Sequence, residues 1–300
     1  MLMKAVESYL ALRRAAGYEL KNQEYQLKSF ARFAVERGET FVSIPTVMEW
    51  ASQIHSPHYR LETVIPFARH VQAEDDRHQV PPSKAFGNRR ARRIPFIFTP
   101  SESEFLVEAA TCLGPIDSLR PYTYSTLFGL LFASGLRISE SLNLLIDDFT
   151  PDGLLIRKTK FKKSRLVPLH ETAVVGVERY LERRKRTAAG DDHLFVSLRG
   201  RGLGRNTVFN TFDELRRRIG LDRGRGGRRP RVHDIRHTFA VRALEACPEG
   251  RDNIGRHMLA LSTYMGHSNI RHTYWYLEAT PHLMRDIVEA CEAFLKRGAP

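Results

Sequence analysis

The stretch Ser262–Leu277, STYMGHSNIRHTYWYL, holds three tyrosines, two histidines and an arginine in sixteen residues. Its reading turns on which tyrosine is available for chemistry. Ser268 is a good N-cap, and the spacing predicts a helix from that point. On such a helix Ile270, Tyr274 and Leu277 share one stripe. Tyr276 falls roughly 120° from that stripe, beside His272. Tyr274 therefore reads as core, and Tyr276 as a side chain off the core that faces something else.

Composition narrows what that can be. The chain has 300 residues, is 42% hydrophobic and carries a formal charge of +13. This is enough chain to bury a sizeable core in one large or two ordinary domains. No apolar run approaches the ~18 residues of a membrane span. The N-terminal segment lacks the pattern of a signal peptide. Cys112, Cys247 and Cys291 are scattered and lack metal-ligand spacing, which fits free thiols in a reducing compartment. A cytoplasmic location without membrane association is the expectation.

The charge is unevenly spread. Residues 1–80 contain ten basic and ten acidic side chains, so the excess lies beyond them. It concentrates in NRRARRIP (Asn88–Pro95), with Arg89, Arg90, Arg92 and Arg93. It concentrates again in RRRIGLDRGRGGRRPR (Arg216–Arg231), where Arg225, Arg228 and Arg229 stand among eight arginines against one aspartate. One such run is often only a solvated loop. Two of them in one region point to a polyanion, because the guanidinium fork suits phosphate oxygens.

The first eighty residues read as four helices, Met3–Ala16, Gln23–Glu36, Thr46–His55 and Leu61–Gln72. Residues 81–97, with Pro81-Pro82 and Gly87, read as a basic linker. A second, mostly helical domain is expected over 98–300. It includes a helix Pro121–Ser134 closed by Gly135, a short helix Ser139–Ile146 and a last amphipathic helix Pro281–Lys296. Leu154–Lys158 and Arg165–Leu169 alternate around TKFKKS and predict a β-hairpin with a basic tip, to which His193–Ser197 adds a third strand. The fold class is mainly α (α+β), and no internal repeat is visible.

Five pieces beyond residue 130 carry chemistry. They are ASGLRISE with Arg137; the hairpin with Lys160, Lys162 and Lys163; VHDIRHTFA with His233, Arg236 and His237; MGHSN with His267; and Tyr276, nine residues further on. His233 and His237 stand four apart, as in zinc-binding helices. Arg236 beside them and the lack of a third ligand argue against a metal, and no cofactor is expected. Arg236 shares a helical face with His233. Together the pieces supply cations for phosphate oxygens, a tyrosine nucleophile and proton-transfer groups, the needs of covalent phosphoryl transfer.

In these motifs the chain resembles the tyrosine recombinases, the integrase-type site-specific DNA recombinases, over essentially its whole length. Arg137, Lys160, His233, Arg236, His267 and Tyr276 occupy the family's catalytic places in order. The ending YWYLEATPHLM is similar to transposon-encoded members. The resemblance implies that Tyr276 attacks a DNA phosphate to give a 3′-phosphotyrosyl link, with no metal or ATP. It implies that Arg137 and Arg236 clamp the phosphate oxygens, Lys160 protonates the leaving 5′-oxygen, His233 assists proton movement and His267 donates to phosphate. Glu140 would orient the Arg137 edge, and His237 would pack behind the site. Double-stranded DNA is the expected partner, gripped in part by the N-terminal helices, with a homotetramer formed through the C-terminal helix. Two alternatives share these residues: a type IB topoisomerase-like relaxase and a catalytically silent DNA-binding relative.

Overall fold

The computed structural model describes residues 1–87, 93–115, 117–157, 164–186, 190–224, 227–246, 251–267, 269, 273 and 276. The chain divides into two compact units, Met1–Arg92 and Arg93–Pro300.

In the first unit four helices form α1 (Leu2–Ala15), α2 (Lys21–Glu36), α3 (Ile44–Ser52) and α4 (Pro57–Glu74). The start of α3 is set by Ser43, whose hydroxyl accepts the Thr46 amide, and by Pro45 in the first turn. Helix α4 begins four residues before the expected Leu61, because Pro57 supplies a preset first-turn φ after Ser56. The core gathers Leu27, Phe30, Trp50, Leu61 and Phe67, with Phe30 edge-on to Trp50 at 5.4 Å. Buried His78 accepts the Val42 amide at Nδ1 (3.0 Å), which fixes residues following α4 against the entry to α3.

The second unit is helical around a small sheet. Its elements are α5 (Pro100–Thr111), α6 (Leu119–Ser134), α7 (Ile138–Leu142), β1 (Phe149–Thr150), β2 (Gly153–Ile156), β3 (Arg165–Val167), α8 (Glu171–Lys185), α9 (Arg205–Arg218), α10 (Val232–Glu245) and α11 (Arg251–Tyr264). Thr99 and Glu102 form a reciprocal capping box that starts α5. Helix α6 is apolar nearly all round and lies at the centre, with Leu127, Phe128, Leu130 and Leu131 buried. It packs against α5, α8 and α10. It ends as the sequence predicts, with Gly135 left-handed at φ +60°.

The sheet is antiparallel in the order β1-β2-β3, with Leu154 opposite Val167 and Ile156 opposite Arg165. The hairpin strands are therefore present, while its tip, 158–163, lies outside the described residues. Two expectations are corrected. The helix predicted for Ser139–Ile146 stops at Leu142, and a 3-10 turn follows at Ile146–Asp148. The third strand is Phe149–Thr150, and His193–Ser197 makes only isolated bridges, Leu145 to His193 and Val196 to Gly202. Both outcomes have one cause. Residues 144–146 leave the helical path to bond with the 192–194 backbone: Leu194 N–H donates to Leu144 O (2.6 Å), and Ile146 N–H to Asp192 O (2.9 Å). The predicted helix Pro281–Lys296 lies outside the described residues.

Candidate active site

The site is built on the end of α11. A helix leaves its last carbonyls without intrahelical partners, and they carry the negative end of its dipole. Here Leu261, Ser262 and Thr263 are satisfied by the amides of Met265, His267 and Gly266, with Gly266 left-handed at φ +64°. The next three carbonyls are taken by three arginines. Arg165 Nε donates to Tyr264 O (3.0 Å), Arg236 Nη2 to Met265 O (2.7 Å) and Arg137 Nη2 to Gly266 O (2.9 Å). The helix end is thus a cation-gathering device, fed from β3, α10 and the α6–α7 turn.

Arg137 reaches it because Gly135 turns the chain sharply. A Cβ at position 135 would lie 2.3 Å from the ring of Phe239, so the turn is open only to glycine. The Gly135 carbonyl in turn accepts Arg236 Nη1 at 2.6 Å. Glu140 caps α7 by accepting the Arg137 amide at 3.0 Å and also binds Arg137 Nη1 at 2.8 Å. Both Glu140 oxygens receive Arg165, at 3.0 and 2.9 Å, in a fork-to-fork pair. Burial alone would raise the Glu140 pKa; the Arg165 hydrogen bonds and charge, and then Arg137, reverse this and bring it down to about 2.

Helix α10 supplies the other side. Asp234 is buried and accepts the Arg231 amide (2.8 Å), so the acid inside HDIRH is a capping group. Arg236 is 2% exposed. Burial and the neighbouring Arg137 lower its pKa to about 10, which leaves it charged at neutral pH. His233 is solvent-exposed on one side, but the protein packed on its other side and the charge of Arg236 push its pKa down to about 4. The surrounding arginines favour the same direction, a neutral imidazole at pH 7. The rings of His233 and His237 meet edge-on at 4.7 Å.

His267 leaves the loop after α11 with its Nε2 3.0 Å from Arg236 Nη2 and its Nδ1 2.8 Å from Thr273 Oγ1. Guanidinium nitrogen only donates, so Nε2 accepts and the proton sits on Nδ1, directed at Thr273. Tyr276 is helical, and its ring lies 5.4 Å from His237 and stacks at 6.0 Å on His267. It is 3% exposed and packs with Ala240, Val241, Leu244, Met258, Leu261 and Met265. This corrects the expectation of a tyrosine off the core. Its helix position packs against α10 and α11, a surface that periodicity within one segment does not reveal. The companion stripe Ile270, Tyr274 and Leu277 lies outside the described residues.

Arg137, His233, Arg236, His267 and Tyr276 therefore come together, while Lys160 lies outside the described residues with Lys162 and Lys163. Of the candidate DNA contacts, Arg89, Arg90, Arg92 and Arg225 also lie outside them. Arg93, Arg228 and Arg229 are exposed, and Arg93 Nη2 donates to the Arg229 carbonyl at 2.8 Å, which joins these two residues of the second unit. Arg216, at the head of the second run, is not a surface cation. It is fully buried on the Val208–Phe212–Leu215 face of α9 and paired with Asp213 (2.7 Å) and Asp222 (2.9 Å). No group of three His, Cys, Asp or Glu suited to a metal gathers among the described residues. Sequence reasoning missed Arg165 and Thr273. Arg165 could have been found, because on β3 it is in phase with buried Val167 while Leu166 is exposed, and a charge on the core phase demands a buried partner.

The sequence profile of the phage integrase family matches residues 98–282, more than half of the chain. The chain belongs to the phage integrase family. It is thereby a tyrosine recombinase, an enzyme of site-specific DNA recombination. The recombinase is 36% identical to y4rB of Sinorhizobium fredii, a protein provisionally named integrase/recombinase, across 96% of both chains. It is 28% identical to the tyrosine recombinase XerD of Mycobacterium tuberculosis, over 66% of this chain and 61% of that one. Two solved structures share its fold. One is the Tn1549 transposon integrase with transposon right-end DNA (TM-score 0.66, 18% identity, 95% of this chain and 98% of that one). The other is the XerH recombinase bound to its difH substrate after cleavage (TM-score 0.68, 17% identity, 90% and 79%). No helix among the described residues is long and apolar enough to cross a membrane.

Proposed function

We propose that this recombinase cuts and rejoins double-stranded DNA with Tyr276 as nucleophile. The Tyr276 oxygen bonds to the scissile phosphorus, the bond to the 5′-oxygen breaks, and Lys160 delivers the proton that makes it a free hydroxyl. One phosphodiester replaces another, so the bond energy is retained for rejoining and no nucleotide is consumed. Arg137 and Arg236 bind the non-bridging oxygens and offset the extra negative charge of the five-coordinate state. His233, neutral at pH 7, accepts the tyrosine proton. His267 donates to the phosphate once Arg236 turns from the imidazole to a phosphate oxygen and Nε2 takes a proton from solvent, giving an imidazolium that also adds positive charge beside the phosphate. The observation that supports this reading most is the convergence of Arg137, Arg236, His267 and Tyr276 around one helix end.

The first unit and the arginines at 89–93 and 225–229 would grip the duplex. Two duplexes would be brought together by four copies of the chain linked through the C-terminal segment, in the cytoplasm of the host cell. The test is covalent capture: protein incubated with a pool of nicked duplexes of randomised sequence, followed by recovery of DNA that resists denaturing wash. Wild type yields an adduct, Tyr274→Phe retains it and Tyr276→Phe abolishes it. Persistence of the adduct in Tyr276→Phe would sink the assignment.

A further inference from the structure

Arg165 has no place in the reaction as proposed, yet it is one of the three arginines on the α11 end. We propose that it is a positioning residue that gives the Arg137 arm of the phosphate clamp its net charge, beside the separate charge of Arg236. The inference rests on the reading above, in which Arg137 faces a phosphate.

Arg137 alone with Glu140 is an ion pair of net charge zero, and such a pair offers an incoming anion little. Glu140 binds Arg137 twice, through the guanidinium and the backbone amide. Arg165 occupies both Glu140 oxygens as well and is itself only 14% exposed at the side chain. The trio of two arginines and one glutamate carries +1, and the exposed member is Arg137, whose side chain is 34% exposed. Arg165 thus absorbs the carboxylate's charge from behind and leaves Arg137 with a surplus directed outward.

Its geometry also limits where Arg137 can sit. Arg165 is fixed on β3 opposite Ile156 and bound through Nε to Tyr264 O. Its guanidinium fills the space over Gly266, where a Cβ would come within 2.8 Å of Nη1. Arg137 hangs on the carbonyl of that same Gly266. One side chain therefore braces both groups that hold Arg137, the Glu140 carboxylate and the 264–266 backbone. With Nε on Tyr264 and both terminal nitrogens on Glu140, Arg165 acts through Arg137 and Glu140 and not on DNA.

The test compares two substrates built on a duplex recovered by covalent capture: one with the natural scissile phosphate, one with a methylphosphonate, which lacks the non-bridging negative charge. The readout is the ratio of their adduct-forming rates. In Arg165→Gln the natural substrate should slow about 10²-fold, comparable to losing one electrostatic donor, and the methylphosphonate far less. In the double variant Arg165→Gln/Glu140→Gln the surplus charge returns, and the natural substrate should recover at least about tenfold over the single variant. Arg165→Lys keeps the charge but loses the fork, so both rates can fall together while their ratio stays within about threefold of wild type.

Equal slowing on both substrates, or a double variant no faster than the single, would overturn the inference. A tenfold fall of the ratio in Arg165→Lys would do the same, and that arm remains readable if Arg165→Gln folds poorly. A wild-type protein that forms no adduct refutes the nucleophile assignment instead, so the two failures are distinct.

Discussion

Glu140→Gln isolates the electrostatics of the α7 cap. Glutamine has the shape of a protonated glutamate, so the variant at pH 7 imitates the wild-type carboxyl with its proton on. Glu140 is brought down from 4.5 to about 2 by Arg165 and Arg137 against its own burial. That difference corresponds to stabilisation on the order of 3 kcal/mol at neutral pH. Because the folded pKa is depressed, this contribution is complete above pH 4.5 and is lost as pH falls through about 2. The variant should therefore be less stable than wild type by about 3 kcal/mol at pH 7, with the gap closing toward zero near pH 2. Urea unfolding followed by circular dichroism across this range, wild type beside variant, reads the gap directly. The side chain is 10% exposed, so added salt should diminish the gap only slightly. A deficit below about 1 kcal/mol at pH 7, or one unchanged at pH 3, would refute the pairing as the source of the stability.

Gly135→Ala combines a left-handed φ with a 2.3 Å overlap on Phe239. It should cost about 2–4 kcal/mol and slow adduct formation, since the same turn presents the carbonyl bound by Arg236; a change within about 0.5 kcal/mol in urea would contradict it. His233, with its pKa pushed to about 4, stays neutral through the physiological range. The rate of adduct formation should accordingly show no inflection near pH 6.5 that disappears in His233→Gln; a pH profile of single-turnover cleavage checks this.

The sequence and the structure agree most closely where a local rule fixes the outcome. Gly135 ends α6, Pro45 lies in the first turn of α3, and the Arg165 strand pairs with the Leu154 strand as alternation requires. They part where distant backbone intervenes. Residues 192–194 take the carbonyl and amide of 144–146, which truncates the helix predicted to Ile146 and removes the expected third strand. The same limit governs the site. The spacing of Arg137, His233, Arg236, His267 and Tyr276 was visible as motifs. That three consecutive carbonyls would gather three arginines was not, because the third arginine lies on a strand about a hundred residues away in sequence. Arg216 shows the converse: inside a run that reads as a basic surface, a helical face buried it between two aspartates. Tyr276 lies in the core because its helix position also meets α10 and α11, and one segment's periodicity carries no information on how many neighbours a helix has.

The site and polarity of the covalent bond identify the nucleophile without ambiguity. Captured adduct is digested with protease and nuclease, and the residual nucleotide–peptide is sequenced by mass spectrometry. A single linkage is expected, at the Tyr276 oxygen, carrying the 3′-phosphate of the cleaved strand and leaving a free 5′-hydroxyl. A linkage at Tyr264, Tyr274 or any serine, or one that carries a 5′-phosphate, would contradict it.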